Sequence, residues 1–100
     1  MSVDVTSRDD VLRELRQLKE EMRDRFGVTR LGIFGSVARG EAGNDSDIDI
    51  VVEMAPNLFR RAGLRAELES RLGRPVDVIR YRDDMDKRIK SRIDREACYV

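Results

Sequence analysis

Asp47, Asp49 and Asp77 are the residues of this 100-residue sequence whose type and spacing suggest chemistry. The first two alternate with isoleucine in "DSDIDIVVEM", and the third interrupts the apolar run "PVDVI". Strand side chains alternate faces. If Ile48, Ile50 and Val52 face a core, then Asp47, Asp49, Val51 and Glu53 share the other side. Two carboxylates on one face of a strand lie roughly 6.5–7 Å apart and can lean toward a single cation. Asp is a poor strand former, so its use twice in one strand calls for a reason. Should the strand carrying Asp77 lie beside the first, three anionic groups come close and repel one another. Divalent cations would offset that repulsion. Oxygen ligands favour Mg²⁺, which is commonly shared with substrate phosphates.

"GSVARG" supplies the other half. Gly35 and Ser36 follow an apolar strand and open a helical turn. Free backbone N–H groups at such a start attract phosphate, and Gly35 lets the backbone approach a ligand closely. Ser36 adds a hydroxyl, and Arg39, one turn on, can reach the same phosphate tail. A phosphate cradle beside metal-binding carboxylates points to nucleoside triphosphate chemistry. Two metals can hold the attacking oxygen and the leaving pyrophosphate of an in-line displacement. An Asp or a metal can activate the hydroxyl nucleophile.

Plainer readings stand beside this one. A solvent-facing strand also alternates acid and aliphatic residues, and Arg39 reads equally well as a solvated loop charge. Asp45 reads as a loop or capping residue, Ser46 as structural, and Glu53 as too far along to be a ligand. Arg80, Arg82, Lys87, Arg88, Lys90 and Arg92 make the C-terminal part basic, which reads as an exposed helix face. "GSVARGEA" has the outer spacing of a P-loop, but Glu41-Ala42 stand where Lys-Ser/Thr belong. "DSDIDI" opens like a calcium loop, but Ile50 replaces the turn glycine and Pro56 the bidentate Glu.

The elements that must carry these residues are legible as patterns. Ser7 precedes a helix with an apolar stripe of Val11, Leu15, Leu18, Met22 and Phe26, stopped by Gly27. A strand over "VTRLGIF", a turn over Ser36–Arg39, a polar loop and a strand over Asp47–Met54 follow. Leu64, Leu68 and Leu72 mark a helix over Leu58–Leu72, stopped by Gly73; "PVDVIR" is a strand; Met85, Ile89, Ile93 and Ala97 mark a last helix. The expected class is α/β, a small mixed sheet of about three strands packed with helices, in one domain over residues 1–100. Charged and apolar residues each make up 40% of the chain and the formal net charge is zero, so no strong nucleic-acid or membrane signal is present. One cysteine and no histidine exclude an internal disulfide and histidine-based catalysis. A reducing, cytoplasmic setting is expected, with no membrane span.

Gly35-Ser36, ten residues, then Asp47-Ile48-Asp49 resembles the signature of the DNA polymerase β-like nucleotidyltransferase superfamily. "GSVARGEAGNDSDIDIVV" and "RPVDVI" are similar to the minimal nucleotidyltransferases (MNT), often antitoxins paired with HEPN-domain toxins. The match spans about Leu31 to Ile79. The resemblance implies the nucleotidyltransferase fold, Mg²⁺ ligands at Asp47, Asp49 and Asp77, and Asp77 as activator of the incoming hydroxyl. It implies triphosphate contacts from Gly35, Ser36 and Arg39, and transfer of AMP from ATP to a tyrosine of a partner toxin in a hetero-oligomer. Two alternatives stay open: an antitoxin that neutralises its partner by binding alone, and a transferase acting on a small molecule or an RNA end.

Overall fold

The computed structural model describes residues 7–41 and 47–100; Asp45 and Ser46 lie outside them. Helix α1 (Arg8–Phe26) begins at Ser7, whose hydroxyl accepts the Asp10 N–H at 3.1 Å. It ends at Gly27, which takes the left-handed conformation while its N–H donates to the Arg23 carbonyl. Strand β1 (Arg30–Phe34), the short helix α2 (Gly35–Ala38) and strand β2 (Ile48–Glu53) follow. Helix α3 (Leu58–Leu72) is capped by Asn57, whose side chain accepts the Arg60 N–H, and stops at Gly73. Strand β3 (Val76–Arg80), helix α4 (Lys87–Glu96) and strand β4 (Cys98–Tyr99) complete the chain.

The sheet runs β3-β2-β1-β4. β1 pairs antiparallel with β2 and with β4, whereas β2 and β3 are parallel. Parallel neighbours need a crossover, and α3 is that crossover. It carries the chain back so that β2 and β3 both start at the same end of the sheet.

The two faces of the sheet are covered differently. Ile48, Ile50 and Val52 join Leu31, Ile33, Val76 and Val78 beneath α1 and α3 in the larger core. Burying each such side chain contributes about 1.5–3 kcal/mol. On the far face, Phe34 and Val51 pack with Met85 and Ile93. Val51 is fully buried there, so the acid-bearing face of β2 is not a solvent face. Outside the core, Arg25 and Arg71 each pair with both Glu21 and Glu67, at 2.7–3.1 Å, and tie α1 to α3.

Two expectations are corrected. The sheet has four strands, not about three. β4 is two residues long, too short for any alternation, and exists because Gly32 leaves room for it: a Cβ on Gly32 would stand 2.6 Å from the Cys98 carbonyl oxygen. Arg30 then stacks 3.7 Å above the Tyr99 ring. The second correction concerns Met85, which is buried as expected but precedes α4. Asp86 is the cap, its carboxylate accepting the N–H groups of Arg88 and Ile89, so the helix starts at Lys87.

Candidate active site

Asp49 and Asp77 are register partners on the parallel strands β2 and β3. Partnered residues project to the same face, and the strands are roughly 4.7–4.9 Å apart. Asp49 is half-buried near the start of the interior strand β2, with Phe34 opposite it on β1. Asp77 is exposed on the edge strand. Asp47 immediately precedes β2 and is exposed. Burial raises the Asp49 pKa above the ordinary carboxylate value, and the charge of Asp77 raises it further. Arg92 opposes this, Asp47 adds to it, and Arg39 opposes it. The three acids and two arginines therefore share one electrostatic neighbourhood.

Gly35 stands at the end of β1 against this group. Its φ of 75° belongs to the left-handed region, which L side chains rarely adopt. A Cβ there would also run into the Asp49 carboxylate. Two independent constraints thus demand glycine: the turn geometry and the closeness of the acid. Ser36 is half-buried one residue on, and its hydroxyl has no hydrogen-bond partner among the described residues.

Arg39 caps the C-terminal end of α2 and is not a free loop charge. Its Nε donates to Glu41 at 2.9 Å and its Nη1 to Glu96 at 3.0 Å. Glu96 also accepts the Gly35 N–H at 3.1 Å, so that amide already has a partner. Helix α4 contributes a second residue: the Arg92 Nη2 lies 3.6 Å from where a Gly35 Cβ would stand, and its guanidinium is 5.9 Å from the Phe34 ring. On sequence alone Arg92 reads as part of an exposed basic helix face, and no motif singles out Glu96. A signal was present in the spacing. Arg92 and Glu96 are four apart and each directly precedes a member of the Ile93, Ala97 stripe, so both flank the face that packs on the sheet.

Three all-oxygen side chains suit a hard cation, and the mutual repulsion felt at Asp49 is what a cation would relieve. Among the described residues, no three His, Cys, Asp or Glu side chains are gathered closely enough to enclose a metal ion. Mg²⁺ usually keeps water and takes substrate phosphates rather than a dedicated protein cage.

A mixed sheet with two acids paired in register beside a glycine turn fits the nucleotidyltransferase class. Residues 15–100 match the family model described as the nucleotidyltransferase domain, and the chain belongs to that family. It is 43% identical over 84 residues to protein adenylyltransferase MntA of Thermococcus cleftensis, covering 82% of this chain and 84% of that one. A solved structure provisionally assigned as a minimal nucleotidyltransferase superposes with a TM-score of 0.71 at 37% identity, over 89% of this chain and 95% of that chain. A chain from the complex of a tri-AMPylated Shewanella oneidensis HEPN toxin with its MNT antitoxin shares the fold at 19% identity, with a TM-score of 0.66 over 92% and 70% of the two chains. The resemblance drawn from the Gly35–Val52 and Arg74–Ile79 segments is borne out. Among the described residues no helix is long and apolar enough to cross a membrane.

Proposed function

We propose that this protein transfers AMP from ATP to a hydroxyl, a tyrosine of a HEPN-type partner toxin, and so acts as the antitoxin. The observation that carries this reading is the pairing of Asp49 with Asp77 directly beside Gly35. The kinship with a protein adenylyltransferase supports the reaction class, and the shared fold with an MNT–HEPN complex supports the kind of partner. A reducing cytoplasm suits Cys98, a free thiol.

In this reading Ser36, Arg39 and Arg92 bind the triphosphate. Gly35 serves by its missing side chain, which lets the phosphates come close to Asp49. Asp47, Asp49 and Asp77 would hold Mg²⁺, which when bound neutralises charge on the triphosphate and on the departing pyrophosphate. The acceptor hydroxyl attacks the α-phosphorus from the Asp77 side. Its oxygen–phosphorus bond forms as the bond to pyrophosphate breaks, and its proton passes to the Asp77 carboxylate. Exposure at the sheet edge lets Asp77 pass that proton on to water.

The test mixes the protein, ATP, Mg²⁺ and the product of the neighbouring gene, and reads intact mass. The partner should gain AMP units, mapped by fragmentation to a tyrosine, and an Asp47→Ala/Asp49→Ala variant should add none. A partner of unchanged mass sinks the proposal. A double variant that still protects cells from the toxin assigns neutralisation to binding instead.

A further inference from the structure

We infer that Glu96 is a positioning residue of the nucleotide site: its carboxylate locks the Gly35 turn and aims Arg39 at the triphosphate. This rests on reading the site as an ATP site. Glu96 is the last residue of α4, where the negative end of the helix dipole disfavours a carboxylate. Its position therefore calls for a compensating interaction. The side chain is only 19% exposed, and its two oxygens have different partners: the Gly35 N–H at 3.1 Å and Arg39 Nη1 at 3.0 Å. One carboxylate thus joins the C-terminal end of α4 to both ends of α2.

The consequence for Arg39 follows from guanidinium geometry. Arginine carries five N–H donors in a rigid planar fork. Glu41 takes the Nε donor and Glu96 takes one on Nη1. The second donor on Nη1 and both on Nη2 have no partner among the described residues. Held by two carboxylates, the fork keeps its orientation, and a phosphate meeting its remaining donors orders few further side-chain torsions. Arg39 follows Gly35 by one turn of α2, and its charge acts at Asp49, so the guanidinium stands in the neighbourhood of the acids. An ordinary surface ion pair would contribute little and leave ligand affinity untouched. A mere placeholder for phosphate would have the opposite sign, since removing it would tighten nucleotide binding.

A double-mutant cycle decides between these. Glu96→Ala, Arg39→Ala and the double variant are compared with the wild-type protein for binding of a non-hydrolysable ATP analogue with Mg²⁺ by calorimetry, and for kcat and KM where transfer occurs. Loss of a charge-assisted contact predicts about tenfold weaker binding for Glu96→Ala. In the Arg39→Ala background the same change should cost about twofold or less, because the residue it aims is gone. Transfer should show the loss in KM for ATP more than in kcat. Glu96→Gln, which keeps one acceptor oxygen and the volume, should fall between and carries the comparison if Glu96→Ala does not fold. Unchanged or tighter binding by folded Glu96 variants overturns the inference, as does an equal loss in both backgrounds. A wild-type protein that binds the analogue but modifies no partner sinks the transferase reading alone, and the cycle still decides on Glu96. One that binds no nucleotide sinks both.

Discussion

Asp49 and Asp77 are neighbours across two parallel strands, and burial of Asp49 together with the charge of Asp77 disfavours the ionised state of Asp49. A raised carboxylate pKa means that the folded protein binds a proton in a pH range where the unfolded chain has released it. This contribution to stability is present at low pH and is lost as pH rises through the folded-state pKa. Asp49→Asn removes the charge and should make the metal-free protein more stable at neutral pH. In a domain this size, each kcal/mol of relieved repulsion raises Tm by about 4–8 °C. The stability gain should shrink as pH is lowered into the carboxylate range. Melting curves of both proteins across pH measure it; an Asp49→Asn protein less stable than wild type at neutral pH refutes it.

Asp77 should behave differently. It is exposed, so Asp77→Asn relieves its repulsion with Asp49 but no burial cost, and should raise Tm less than Asp49→Asn while lowering kcat by about 10²–10⁴, the range for a missing general base. Single-turnover transfer to the partner separates this from weaker binding. Chelation by EDTA should abolish transfer by the wild-type protein, and added Mg²⁺ should restore it.

Gly35→Ala tests the two constraints on the turn. The left-handed conformation costs an L residue roughly 1–2 kcal/mol, and the added methyl would displace the Asp49 carboxylate. We expect a Tm loss of several degrees together with loss of transfer. Gly40→Ala is the control: it has the same sign of φ, but its Cβ would meet nothing within 4 Å. It should lose stability and keep its activity.

Arg92 stands beside the glycine turn with no ion pair among the described residues. Arg92→Ala should raise KM for ATP about tenfold, as expected for a lost charge-assisted phosphate contact, with a smaller effect on kcat. Lys87→Ala, at the start of α4 and around the helix from Arg92, should leave both unchanged.

Neither tyrosine should ionise at the usual pH of about 10. Tyr81 donates to Asp94 at 2.8 Å, and that bond pushes its pKa up to about 12; burial pushes Tyr99 up as well. Both shifts favour the neutral phenol, so the stability they contribute is present below pH 10 and lost as pH rises through the folded-state values. Ultraviolet titration should show tyrosinate appearing late, and Asp94→Ala should return one tyrosine toward 10.

Much of this molecule was legible in its order of residues, and the reason is local. The stripes of α1 and α3, the caps at Ser7 and Asn57, the stops at Gly27 and Gly73 and the alternation of Asp49 with Ile48 and Ile50 are written within a few residues of each other. Helix and strand periods act over that same range. Tertiary structure alone decided which strands are neighbours. The register that sets Asp77 against Asp49 depends on the length and packing of α3, since nothing in "PVDVI" names its partner. The same holds for Arg92 and Glu96, whose pattern showed only that they flank an apolar stripe; packing of α4 over Phe34 and Val51 brought them to Gly35. β4 exists because Gly32 leaves space across the sheet, and Met85 is core without being helix because Asp86 closes the cap after it. Side-chain period is a property of neighbours in the chain, but convergence is a property of neighbours in space, and long-range packing selects those.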